Sequence, residues 1–295
     1  MRRVSHDLLQ ALVIFAAGLT AGTFNTVVGS GTLITFPTLL AFGYPPVIAN
    51  VSNNVGLVPG GVSGVVGYRA ELKGQRRRIL RLGAASLCGG VVGAVLLLVL
   101  PAGAFKEIVP ALIGIALVMV VFQPRLSKWV AARQAARTGE TGGPGPDGGS
   151  AADPGSGAAG SGTAAVGLVT PMRTQRATQV GGPVLWVLVL LTGVYGGYFG
   201  AAQGVLLLGL MGVAFTDSLQ RINATKNVLA GLVNGVAAIV FIVAGHVNWG
   251  VAGLIAAGSI IGGQVGARVG RKLPPWGLRV LIVCVGTAAL VKLLA

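Results

Sequence analysis

Long apolar runs separated by short polar and basic stretches dominate the chain. Runs close to the roughly 20 residues that cross a hydrocarbon core occupy 8–28, 47–68, 79–100, 105–123, 183–202, 227–246, 249–267 and 276–294. Two shorter apolar pieces, 31–43 and 204–216, reach only about 20 Å at 1.5 Å per residue, so they read as short, broken or re-entrant helices. Each follows a glycine-containing break, Gly29-Ser30-Gly31 in one case and Gln203-Gly204 in the other. The pattern predicts an all-α polytopic membrane protein. Residues 138–182 stand apart as a Gly/Ser/Ala/Pro tract, the composition of a flexible linker. The expected organisation is a first membrane repeat over 1–123, a cytoplasmic disordered linker over 124–182 and a second membrane repeat over 183–295.

The two halves echo each other. Shifted by 173 residues, they align without gaps from about 31 to 117. Gly31 falls on Gly204, Asn50 on Asn223, Asn54-Val55 on Asn227-Val228, Gly89-Gly90 on Gly262-Gly263 and Leu100-Pro101 on Leu273-Pro274. Apolar residues coincide by chance; asparagines and prolines in constant register do so far less readily. A repeat of this length is one structural unit used twice. It also weighs against reading the N-terminus as a cleaved leader. Arg2 and Arg3 precede an apolar stretch, as in a leader, yet Gly18 to Phe24 is matched by the internal segment Gly193 to Phe199.

Composition sharpens the picture. The 295 residues are 53% hydrophobic and only 10% charged, against the ~25% charge of soluble domains. The formal net charge of +15 invites a nucleic-acid reading. Its distribution excludes one, because the basic residues cluster in connections between apolar runs and not on one face of a polar element. Their placement also sets sidedness. Suppose every segment crosses, five per half, with the N-terminus outside. Then Arg69–Arg81, Arg125–Arg176, Arg221–Lys226 and Arg268–Arg279 all face the cytoplasm, leaving Arg2, Arg3, Lys106 and Lys292 outside. Suppose instead that the short pieces re-enter and the N-terminus lies inside. Then Lys106, Arg221, Lys226, Arg268, Arg271, Lys272 and Arg279 are left outside. The positive-inside rule favours the first arrangement. Its odd number of crossings inverts the second half relative to the first, a recurring plan of secondary transporters.

Cys88 and Cys284 sit in apolar runs without C-x-x-C spacing, and His6 and His246 are isolated, so no metal or redox centre is expected and no cofactor is implied. The seven acids (Asp7, Glu71, Glu107, Glu140, Asp147, Asp153 and Asp217) lie at segment ends or in the linker. A relay of buried carboxylates, the usual proton-pump device, is not visible; a coupled proton would travel on the substrate. H-E-x-x-H, G-x-S-x-G and Walker sequences are missing, so no enzymatic chemistry is expected.

The stretch GSGTLITFPTLLAFGYPPVIANVSNNV, residues 29–55, resembles the TauE/SafE family of sulfite exporters. Its weaker echo GVLLLGLMGVAFTDSLQRINATKNV, residues 204–228, and the GG-x-x-GA turns at 89–94 and 262–267 extend the resemblance over nearly the whole chain except the linker, which is longer than the family usually needs. The resemblance implies export of sulfite or related organosulfur anions, in a cell membrane, without enzymatic chemistry.

An oxyanion inside a membrane needs hydrogen-bond donors and positive potential, which helix N-termini supply. The breaks Gly29, Ser30, Gly31 and Gln203, Gly204 are therefore candidate substrate-binding residues, against the plainer role of small residues in close helix packing. A second candidate set is polar: Asn50, Ser52, Asn53 and Asn54 in the first half, and Asn223, Thr225, Lys226 and Asn227 in the same register of the second. Buried amides in a membrane are costly unless paired. Asn54 and Asn227 are expected to face a common site across the pseudo-two-fold axis, and Lys226 suits an anion; the plainer roles are interhelical glue and a snorkelling lysine. The expected function is a secondary transporter for a small oxyanion, with a passive anion channel as the alternative and a membrane scaffold as a third. The expected partners are the lipid bilayer and a small anionic substrate; self-association is left open.

Overall fold

The computed structural model describes residues 2–139, 182–215 and 217–269, with isolated positions 283, 284, 287 and 291 beyond them. Among the described residues there are helices and no strands: α1 (Arg2–Val27), α2 (Thr32–Ala41), α3 (Pro46–Gly67), α4 (Arg76–Val99), α5 (Ala102–Gly139), α6 (Pro183–Tyr198), α7 (Gln203–Ala214), α8 (Leu219–Val243) and α9 (Trp249–Val269). Five of them, α1, α4, α5, α8 and α9, contain stretches long and apolar enough to cross a membrane. The protein is a multi-pass helical membrane protein.

The helices begin and end where local chemistry dictates. Pro46 and Pro183 open α3 and α6 at the first turn, where a missing N–H costs nothing. The short apolar pieces are helices of 10 and 12 residues, too short to span about 30 Å. The expected span at 183–202 stops as a helix at Tyr198, because Gly200 and Ala202 adopt left-handed backbone with φ of 76° and 60°. The expected span at 227–246 begins earlier, at Leu219, so Asn223 to Asn227 lie inside a helix and not ahead of one. The long fourth span runs on: residues 124–139, which composition placed in the linker, continue α5. The remainder of that linker, 140–181, and most of the span at 276–294 lie outside the described residues.

Packing exchanges the halves. α1 of the first half packs on α9 of the second, and α6 of the second packs on α4 of the first. The GG-x-x-GA stretches, expected as turns, are helical and make these seams. At Gly262 a Cβ would collide with the backbone carbonyl of Leu19 in α1; at Gly89, its repeat counterpart, it would collide with the carbonyl of Leu190 in α6. Glycine there lets two helix backbones touch, the close approach that drives association in lipid. Successive contacts along each seam (Gly18 with Ile255, then Gly22 with Ser259) show that α1 and α9 run parallel, as do α4 and α6. Substituting leucine for Gly262 should force the α1–α9 seam apart at a cost of about 1–3 kcal/mol or more, seen as a lower unfolding temperature of the detergent-solubilised protein.

Candidate functional site

The two breaks meet in the middle of the bundle. The N–H of Gly204 donates to the carbonyl of Gly29 at 3.1 Å, and a Cβ on either glycine would strike the Cα of the other. Gly29 also has a φ of 89°, which L side chains rarely adopt. After α1 the chain doubles back, so that Gly31 lies against the carbonyl of Ala21 while Tyr44, beyond α2, receives a hydrogen bond from Gln10 at 3.1 Å. α2 is therefore a half-length helix that starts inside the bundle. In the second half the Tyr195 hydroxyl donates to the carbonyl of Ala201, pinning the break, and the Gln203 side chain lies over Gly196. Phe36, Phe199 and Phe105 wall the crossing, with Phe36 and Phe199 edge to face at 5.3 Å between centroids.

This crossing collects unpaired donors. Among the described residues nothing accepts from the backbone N–H groups of Ser30, Gly31 and Thr32, or from those of Ala201, Ala202 and Gln203. The Ser30 hydroxyl and the Gln203 side-chain amide nitrogen are buried and also lack partners. Ser30 and Gln203 occupy the same register of the repeat. Orphaned buried donors cost about 1–3 kcal/mol each, and they are concentrated where α2 and α7 present the positive ends of their dipoles. Backbone N–H groups, a hydroxyl and an amide are donors of the kind that suit an oxyanion.

The polar quartets hold the scaffold around the crossing. Asn50 donates to the carbonyl of Tyr198 at 3.0 Å, and its counterpart Asn223 donates to the carbonyl of Thr26 at 3.2 Å. Each half thus caps the end of the broken helix of the other half, satisfying carbonyls that the helix itself cannot. Asn227 also donates to the carbonyl of Thr26, at 3.2 Å. Asn53 accepts from the Thr35 hydroxyl and donates to the Thr32 hydroxyl at 3.3 Å, fixing the start of α2. The side-chain oxygens of Asn54 and Asn223 are buried without partners. Lys226, the counterpart of Asn53, is completely buried, with its Nζ 3.4 Å from the carbonyls of Asn25 and Thr26 at the end of α1. No carboxylate pairs with it among the described residues. A buried cation held only by the negative end of a helix dipole is charge-imbalanced. It also sits close to the first break, since a Cβ on Gly31 would lie 3.1 Å from the Cβ of Asn25.

Ser52 and Thr225 do something else. The Thr225 hydroxyl donates to Gln75 at 2.8 Å, and the N–H of Asn248 donates to Ser52 at 2.9 Å. Gln75 and Asn248 share a register of the repeat, so each quartet hydroxyl ties its helix to the connection between two helices of the other half. The end of the bundle at Gln75 is further locked by Arg78, which pairs with Asp217 at 2.6 Å and stacks 3.8 Å above the Phe215 ring. Arg221 bonds Asp217 and the carbonyl of Lys73, both at 3.2 Å. Replacing Asp217 with asparagine should remove the carboxylate shared by Arg78 and Arg221 and lower stability by about 1–3 kcal/mol, measurable by thermal unfolding.

Sequence reasoning placed the breaks and the asparagines but passed over Thr32, Gln75 and the carbonyls of Asn25 and Thr26. The Gln75–Asn248 match at the repeat shift was the available signal for one of these; backbone carbonyls leave none. Two apolar cavities lie elsewhere. One of about 440 Å³ is lined by Met119, Phe122, Arg125, Trp129 and Val205, and one of about 310 Å³ lies among α4, α5 and α6, against Tyr195 and Tyr198. Neither is lined by any of the expected site residues. The described residues hold no cluster of His, Cys, Asp or Glu suited to a metal.

The family described as sulfite exporter TauE/SafE matches residues 14–293. The probable membrane transporter protein ORF9 of Sinorhizobium sp is 26% identical over all of this chain and 95% of its own length. The probable membrane transporter protein YfcA of Escherichia coli K12 is 23% identical over 96% of this chain and 88% of its own. A probable membrane transporter protein of Haemophilus influenzae is 22% identical over 90% of this chain and 86% of its own. No solved structure matches.

Proposed function

The chain belongs to the sulfite exporter TauE/SafE family of membrane transporters, and on that premise we propose that it is a secondary transporter for a small oxyanion, sulfite or an organosulfonate, exported across the plasma membrane. The observation that carries this reading is the crossing of the two breaks. Unpaired N–H groups from both halves, the Ser30 hydroxyl and the Gln203 amide converge there. Three oxygens of one small anion suit such a donor set, and Lys226 supplies the nearby positive charge.

The halves are read as inverted repeats whose rocking exposes the crossing to either side in turn. Helix directions support this. α9 runs parallel to α3 (Gly56 against Ile255, Gly60 against Ser259), and α3 and α4 are successive helices joined by a short connection, so α9 runs opposite to α4, its counterpart in the first half. Sidedness is supported by the lock at Gln75. It brings the basic segment Arg69–Arg81 against Arg221, as the all-crossing arrangement requires and the re-entrant one forbids. The basic end is then the cytoplasmic one.

Proteoliposomes loaded with sulfite test the proposal. A carrier gives saturable flux that is accelerated by sulfite on the opposite side. A channel gives conductance under voltage clamp that rises linearly with concentration and shows no such acceleration, and that result would replace the carrier reading with the channel.

A further inference from the structure

Asn234 was not among the expected site residues, and its counterpart in the first half is Gly61. It lies well inside α8, half-buried, and its side-chain amide has no hydrogen-bond partner among the described residues. An amide with neither a protein partner nor water is costly at this depth of a membrane helix. Its surroundings show what it faces. The point where Gly200 would carry a Cβ lies 4.0 Å from the Asn234 side-chain oxygen and 3.8 Å from the Thr32 hydroxyl. Asn234 therefore stands beside the second break and the start of α2, whose N–H groups are free. Asn234 shares its side of α8 with the buried Ala230, Ala238 and Phe241, whereas Ile239, 63% exposed, lies about 140° around the helix at ~100° per residue, on the lipid-facing side.

We propose that Asn234 lines a water-filled path to the crossing of the two breaks and is a further substrate-selecting residue there. The proposal rests on the transporter reading for the identity of the anion, but not for the existence of the path. An uncharged amide suits an entry for anions: it offers donors to the oxyanion and oxygen to its water, without holding the ion as a second lysine would. Its absence from the first half makes the two approaches chemically different.

Accessibility tests the path separately from the substrate. In a protein with Cys88 and Cys284 replaced by serine, Asn234→Cys is treated in proteoliposomes with a charged, membrane-impermeant methanethiosulfonate. Ile239→Cys serves as the lipid-facing control. The expected result is rapid modification of Asn234→Cys, none of Ile239→Cys, and slowing by saturating methanesulfonate, an organosulfonate that, unlike sulfite, does not itself attack the reagent. Modification that methanesulfonate does not slow would leave the path standing and remove the sulfonate as its occupant. A cysteine that reacts only with a membrane-permeant maleimide would place Asn234 against lipid and overturn the proposal. Flux gives a second reading that does not depend on labelling. Asn234→Gln retains sulfite transport, whereas Asn234→Asp, which sets a like charge in the path, slows it by about tenfold or more. Equal flux in the two variants, both folded, would contradict a selecting role.

Discussion

Replacing Gln203 with leucine raises the concentration of sulfite needed for half-maximal transport by about 10- to 100-fold, and Ser30→Ala has an effect of the same kind. The size follows from the bond each side chain would give a charged acceptor, about 1.5–3 kcal/mol, at 1.4 kcal/mol per tenfold. The sign of the accompanying stability change makes the prediction specific. The Ser30 hydroxyl and the Gln203 amide nitrogen are buried without partners among the described residues. Removing them discards a desolvation penalty instead of a bond. Gln203→Leu, close in size to the original, should therefore unfold at the same temperature as the native protein or higher while binding sulfite worse. A residue that served only to pack α7 against Gly196 would show the reverse, a loss of stability with unchanged affinity. Transport assays at graded sulfite, paired with thermal unfolding of the same preparations, distinguish the two.

Lys226→Met has the larger effect on transport, a fall of about 30- to 1000-fold. A unit charge about 4–8 Å from an anion contributes roughly 2–4 kcal/mol at an effective dielectric of 20, which converts to that range at 1.4 kcal/mol per tenfold. Methionine keeps the length and flexibility of the stem and removes the ammonium. The protein should tolerate the change, because Nζ is held only by two carbonyls at 3.4 Å and no carboxylate is left stranded. Folded Lys226→Met with native flux would show that the buried charge serves the end of α1 alone. Moderate flux in the folded variant with sulfite binding intact would instead assign Lys226 to the conformational step.

Much of this architecture was legible in the sequence because membrane helices announce themselves by length and apolarity. α4 and α9 fell where the runs predicted, and the breaks at Gly29 to Gly31 and Gln203-Gly204 were marked by small residues ahead of short apolar pieces. Helix ends were harder. The run at 183–202 is apolar throughout, and nothing in its hydropathy says that Ala202 adopts left-handed backbone. α8 begins at Leu219, ahead of the apolar run, because Arg221 and Lys226 find partners within the protein. The basic residues after Phe122 looked like the start of a linker, yet α5 carries them to Gly139.

The site was legible in part for the same reason. Periodicity finds residues that recur in register, so it found both quartets and both breaks. It could not rank them, because ranking depends on what each polar group meets. Asn50, Asn53 and Asn227 find backbone carbonyls or threonine hydroxyls in the folded chain, while Ser30 and Gln203 find nothing. The reciprocal capping, Asn50 onto Tyr198 and Asn223 onto Thr26, exists only once the halves are interleaved. The repeat does not mark Asn234, because its counterpart, Gly61, is a glycine.

The most direct test of the central claim, that an oxyanion binds where the two broken helices cross, is equilibrium binding of radiolabelled sulfite to purified protein. Native protein and the Ser30→Ala/Gln203→Leu double variant would be compared with Asp217→Asn, which disturbs the lock at the Gln75 end but not the crossing. Saturable binding to native protein and Asp217→Asn, lost in the double variant although it remains folded, is the result predicted here. Binding of equal affinity in all three proteins would contradict the claim and move the anion away from the crossing.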